Sequence, residues 1–189
     1  MRTRMAWLVI KWALLSLFNL VLKYGIAWPL TPVIVLFAKP NGWLPDWLFW
    51  FQTNDASLDG DEGWKNGTRP FADNSGFCRY VNRCFWLWRN SLYGFNQSVL
   101  AVDLTRDHLK LHVIGDPSVG NGPGGKSGLV RRCLVQRGKI LAWQWYYIRR
   151  LKHWPNRCIR INLGWKLFSF GNRPKAHMAL SAWVNRFMA

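Results

Sequence analysis

The chain has 189 residues, 26 Lys and Arg against nine Asp and Glu, and 14 Trp. That length allows one domain with an appendage or two small domains, and a core that needs no staples. The net charge of +17 points to polyanionic partners, nucleic acid or an anionic lipid surface, while four cysteines without a C-x-x-C pair exclude a zinc-finger framework.

The charge is unevenly placed. Residues 1–38 carry four bases and no acid, residues 39–103 carry six bases and seven acids, and residues 104–189 carry sixteen bases against Asp107 and Asp116 alone. The predicted organisation is a hydrophobic anchor (1–38), an aromatic-rich helical linker with an acidic loop (39–96) and a basic β domain (97–189).

Residues 5–22 (MAWLVIKWALLSLFNLVL) are apolar over about the length of a bilayer span. A second apolar run, 26–38, contains Pro29 and Pro32. Lys11 inside the first run and the lack of an A-x-A site count against a cleaved signal peptide, and a buried helical pair in a soluble protein is the competing reading. Arg2, Arg4 and the basic body all favour the cytoplasmic side. A hairpin, or a helix that dips in and returns, satisfies all three, and the prolines suit the second arm. Trp7, Trp12, Trp28, Trp43, Trp47 and Trp50 are the predicted interfacial anchors, since an indole ring favours a site with one dry end and one wet end. If residues 43–51 are α-helical, Trp43, Trp47, Trp50 and Phe51 share a face.

Asp55, Asp59, Asp61 and Glu62 gather nearly half of the acids into eight residues. They do not follow an EF-hand spacing, so a divalent-metal site or an acid/base pair competes there with a loop paired to arginines. The following segment, 77–95, interleaves Arg79, Arg83 and Arg89 with aromatic residues. It reads as a core helix whose arginines answer the acidic loop, or as a phosphate- or base-binding surface.

From about residue 97 the period becomes alternating. Residues 97–104, 109–114, 127–136, 140–148 and 157–168 read as antiparallel strands, with Arg137-Gly138-Lys139 as a hairpin signal. In the last of these, Ile159, Ile161, Leu163, Trp165 and Leu167 alternate with Arg160, Asn162 and Lys166, which predicts a dry face and a basic one. Residues 175–189 fit a closing helix or a last strand equally well. The basic binding candidates of this half are Arg131, Arg132, Arg149, Arg150, Lys152, Arg160 and Lys166.

Gly120 to Ser127 satisfies the Walker A pattern. No acid follows Lys126 to hold magnesium, so the stretch reads as a glycine-rich loop. His108 and His112 fall on a predicted strand, too far apart for an easy chelate. The four cysteines read as packed, reduced thiols.

The blocks WFQTNDASLDGDEGW (50–64), WLWRNSLYGF (86–95) and INLGWKL (161–167), after a hydrophobic N-terminus, resemble an uncharacterised protein family of tailed bacteriophages and prophages. The resemblance implies a phage gene product made in a bacterial host and no activity. It singles out Asp59, Gly60, Asp61, Glu62, Trp64, Arg89, Tyr93 and Gly94. The expected fold class is α+β, a hydrophobic helical anchor followed by a mainly antiparallel sheet.

The expected function is non-enzymatic and without a cofactor. The basic domain is held on the cytoplasmic side of the host inner membrane, with anionic lipids or a host or phage protein as partner. A nucleic-acid-binding or virion-associated protein and a metal-dependent enzyme using the acidic loop are the alternatives.

Overall fold

The two N-terminal apolar runs fold as one continuous helix in a computed structural model, which describes residues 2–120 and 124–186. Helix α1 (Arg2–Leu22) passes through a π turn (Lys23–Ala27) into α2 (Trp28–Leu36). The expected hairpin is therefore corrected, for a local reason. Pro29 and Pro32 lack the amide hydrogens that would close i→i−4 bonds, and each ring would press on the carbonyl four residues back. The wider π turn absorbs the first conflict: the Trp28 amide donates to the Lys23 carbonyl, five residues back, immediately before Pro29. Pro32 leaves the Trp28 carbonyl without its helical donor, and the Trp88 indole donates to it at 2.9 Å. In return the Trp28 indole donates to the Trp88 carbonyl at 3.1 Å.

Two compact units divide the chain, Leu17–Leu100 and Met1–Ser16 with Ala101–Ala189. In the first, a 3₁₀ turn (Asp46–Phe51) and the short helix α3 (Glu62–Lys65) precede the 14-residue helix α4 (Gly76–Arg89); α5 (Tyr93–Phe95) and a second π turn (Asn96–Leu100) close the unit. Its core joins Ile34 and Val35 of α2 to Leu44, Leu48, Leu58, Trp64, Cys84, Trp86 and Leu87. The predicted strand from residue 97 is corrected here, because residues 96–100 continue the helical path and bury Leu100. The 43–51 segment is also 3₁₀ rather than α. At three residues per turn Trp47 and Trp50 line up with each other, and Trp43 lies outside the turn.

The second unit holds a five-stranded antiparallel sheet in the order β2-β3-β4-β5-β7, from β2 (Leu109–Ile114), β3 (Gly128–Gln136), β4 (Lys139–Leu151), β5 (Trp154–Trp165) and β7 (Met178–Arg186). A two-stranded ribbon pairs β1 (Val102–Asp103) with β6 (Lys175–Ala176). Positive φ at Arg137 and Gly138 gives the tight β3–β4 turn its hairpin twist. Residues 178–186 are a strand, which settles the C-terminal choice.

The alternation in β5 holds, but over residues 158–163 the buried side is the opposite of the one expected, while Trp165 at its end and Leu167 just past it are buried as expected. Cys158 and Asn162 lie on the inner face with Val130, Tyr146 and Ile148, against Val119 from the loop after β2. Arg132 on this face donates to the Gln144 Oε1 at 3.3 Å, and the Gln144 Nε2 donates to Asn162 Oδ1 at 2.9 Å. A period of two identifies two faces without saying which one the rest of the chain covers. Gly164, at φ +94, sits where any Cβ would overlap the Trp143 carbonyl oxygen.

Candidate functional site

The acidic loop gives Asp59 to α4. Arg79 and Arg83, one helical turn apart, both clamp its carboxylate. Oδ1 accepts from Arg83 Nε at 2.8 Å and Arg79 Nε at 3.2 Å, and Oδ2 accepts from Arg79 Nη2 at 2.8 Å and Arg83 Nη2 at 3.0 Å. Both arginines also donate to the Pro40 carbonyl, at 2.9 and 3.4 Å. Partial burial pushes the Asp59 carboxyl up, but the hydrogen bonds and charges of Arg83 and Arg79 outweigh it and hold the group well below the usual carboxylate range. Its acceptor positions are taken, which leaves little capacity for a metal ion or for proton transfer near neutral pH.

The other acids of the loop have separate local tasks. Asp61 caps α3 by accepting the Trp64 amide at 2.8 Å, and Glu62 pairs with Lys65 at 2.9 Å on the surface. Asp55 is exposed. Among the described residues no three His, Cys, Asp or Glu come close enough to hold a metal ion. Trp64 packs on Trp86 with ring centroids 5.4 Å apart, and the Arg89 guanidinium lies over both rings at 5.9 and 6.0 Å. Gly94 lies against the Phe49 and Gln52 carbonyls, where a Cβ would be 2.6 Å from the Gln52 oxygen. The first two sequence blocks thus build one structural knot in the helical unit.

The strongest candidate surface is the N-terminal helix. Its covered stripe carries Trp12, Ser16, Asn19, Lys23, Ala27, Thr31, Ile34 and Val35, buried or half-buried at steps of three and four. Its open stripe carries Trp7, Ile10, Leu14, Leu17 and Val21, then Tyr24, Trp28, Val33 and Leu36, all exposed. A helix on the surface of a soluble protein faces its polar residues outward. This one turns Ser16, Asn19, Lys23 and Thr31 inward beside Trp12, Ala27, Ile34 and Val35, and leaves a stripe of aliphatic and aromatic side chains open. Lys11 is exposed near the N-terminal end.

Body residues lie against this helix at several levels. In the sheet unit Trp12 meets Trp143 edge-on, with centroids 5.2 Å apart. In the helical unit Phe95 packs on Phe18 at 6.4 Å, Trp88 exchanges hydrogen bonds with Trp28, and the Tyr80 hydroxyl donates to the Pro32 carbonyl at 3.0 Å. Of the anticipated anchors, Trp7, Trp28, Trp47 and Trp50 are exposed, Trp43 is half-buried and Trp12 is buried.

The basic candidates separate by face. Arg131, Arg149, Arg150 and Lys152 are exposed, Arg132 and Arg160 belong to the inner face, and Lys166 lies just past β5 with its amide donating to the His177 carbonyl. Arg79 and Arg83 are committed to Asp59. In place of the helix that Walker A requires, β3 begins at Gly128; residues 121–123 of the motif lie outside the described residues. The four cysteines are reduced thiols, with Cys84 and Cys158 buried.

The model of a family of unknown function (DUF7338) matches residues 3–189. The chain belongs to that family. No curated protein and no solved structure matches it. Family membership therefore covers both units and the helix, and it leaves the function to be argued from the surfaces just described.

Proposed function

We propose that this family member is a non-enzymatic monotopic membrane protein, attached through the open stripe of its N-terminal helix. The observation that carries this reading is the open stripe of that helix, aliphatic and aromatic from Trp7 to Leu36, while Ser16, Asn19, Lys23 and Thr31 face inward. The arrangement lowers free energy only where the outer medium is apolar. The helix from Thr3 to Leu36 has 34 residues, on the order of 50 Å at about 1.5 Å per residue, well beyond the roughly 30 Å of a hydrocarbon core.

Within their own units, Trp143 packs on Trp12 and the Tyr80 hydroxyl donates to the Pro32 carbonyl, at positions where a spanning helix would meet lipid. A helix lying in the interface, with only its outer stripe immersed, accommodates both facts. It also keeps Arg4 and the basic sheet, which share one compact unit, on one side of the bilayer. We assign that side to the cytoplasm by the positive-inside rule. The resemblance to phage and prophage proteins supports the inner membrane of a bacterial host as the location.

The test is fractionation of full-length protein made in bacteria, beside a Leu17→Asp/Val21→Asp variant. Wild type is expected in the membrane fraction and to float with phosphatidylcholine vesicles, and the variant is expected in the soluble fraction. A soluble wild type, or a variant that stays membrane-bound, would overturn the reading.

A further inference from the structure

We propose that the outer face of the five-stranded sheet, together with the β4–β5 hairpin tip, is a second membrane contact that selects anionic phospholipid headgroups. The proposal rests on the membrane reading above and names the lipid class.

The register defines the face. Ile114, Arg131, Trp145, Leu163 and Leu180 form one row across all five strands, and Leu129, Tyr147, Ile161 and Ala182 form the next. Arg149, Ile159 and Val184 follow, and Arg157 continues the same side of β5. Leu129, Trp145, Ile159, Leu180 and Val184 are exposed, Trp145 at 49%. A sheet side that met only water would carry polar residues at most of these positions.

Its charged residues are basic. Arg131, Arg149 and Arg157 are exposed on this face, Lys152 is exposed at the hairpin tip beside Trp154, itself 65% exposed, and none of the aligned rows contains an acid. The Arg131 guanidinium lies over the Trp145 ring at 5.2 Å, an arrangement that keeps a cation at the edge of an apolar surface.

The face is continuous with the helix contact inside this one compact unit. Trp12 covers one end of it through Trp143, and Trp143 meets Trp145 at 6.4 Å. An aromatic row thus leads from the helix to the open patch.

Aliphatic side chains decide between the two polyanions that +17 permits. A nucleic acid would use the cations and stack on the two rings, yet leave the exposed Leu, Ile and Val in water. The boundary between headgroups and acyl chains takes indole, aliphatic and cationic groups together. Each cation near an anionic bilayer strengthens binding severalfold, and salt screens the effect.

The experiment is flotation and vesicle titration of the full-length protein. It compares phosphatidylcholine vesicles with vesicles that also contain phosphatidylglycerol, at low and high salt, for wild type and for an Arg131→Gln/Arg149→Gln/Lys152→Gln/Arg157→Gln variant. Wild type is expected to bind phosphatidylglycerol vesicles about a hundredfold more tightly, with the gain lost in salt. The variant is expected to keep the phosphatidylcholine affinity and lose most of that gain. Brominated lipid is expected to quench wild-type fluorescence more than that of Trp145→Ala, a readout that does not depend on the fourfold variant folding.

A wild type that binds both vesicles equally overturns the sheet-face proposal and leaves the helix reading standing. Binding to neither vesicle overturns both. A variant that retains the phosphatidylglycerol preference also overturns the proposal, as does an oligonucleotide that displaces wild type from these vesicles through the same four residues.

Discussion

The helical unit and the sheet unit handle positive charge in opposite ways. In the helical unit Asp59 takes the guanidinium groups of both Arg79 and Arg83, and Arg89 lies over Trp64 and Trp86. In the sheet unit no acid follows Asp116, and Arg131, Arg149, Lys152 and Arg157 face outward. Arginine density alone therefore does not mark a binding surface. The same residue type holds one unit together and, in the other, stands exposed on the sheet.

Substitutions that remove a charge sharpen the contrast, and the largest effect is expected at Asp59. Asp59→Ala leaves two guanidiniums facing each other without a carboxylate, Arg83 nearly buried among them. It should cost about 3 kcal/mol in chemical denaturation of the detergent-solubilised protein, with Arg79 less affected because it is more exposed. A loss near zero would mean that the clamp is a surface ornament and the contrast fails.

Backbone crowding provides the next test in each unit. Gly164→Ala places a methyl against the Trp143 carbonyl at a positive φ, and Gly94→Ala presses on the Phe49 and Gln52 carbonyls. Each is expected to cost about 1–3 kcal/mol, read as a lowered denaturation midpoint.

The sheet unit also contains a pH-sensitive group. Burial, with Lys166 and Arg173 adding to it, pushes the His177 imidazole down to about 3, from about 6.5 in the unfolded chain. Between those values the unfolded state binds the extra proton. The contribution is complete above about pH 6.5 and is lost as pH falls toward 3. His177→Gln should flatten the acid side of the stability profile over that window, and an unchanged profile would remove His177 as its source.

Smaller effects close the comparison. Asp61→Ala removes the α3 cap and should cost about 1 kcal/mol. Arg131→Ala should change stability by about 0.5 kcal/mol or less, although it belongs to a face proposed to bind lipid. A large loss there would show that the outward cations also hold the fold.

Much of this architecture was legible in the residues. Alternation over 109–114, 127–136 and 140–148, with turn residues at Arg137-Gly138-Lys139, has few competing solutions, and strands formed over all three, the last running on to Leu151. The shortage of acids made a pairing between the acidic loop and the arginines of 77–95 a natural expectation. Less visible was the path of the first 38 residues. Pro29 and Pro32 break an isolated helix, and only the π turn and the Trp88 indole, 60 residues away in sequence, keep this one continuous. The helical fate of 96–100 was hidden for a similar reason, because short apolar runs fit either period.

Local chemistry therefore fixed the element types, the apolar character of the N-terminus and the sign of the field around residues 104–189. Tertiary packing decided which side of each element is covered. The helix turns Ser16 and Thr31 to the protein while Leu14 and Leu17 stay open, and β5 turns Asn162 inward while Ile159 stays open. Periodicity specifies how side chains divide between two faces, but the choice of buried face belongs to whatever the distant chain brings against it.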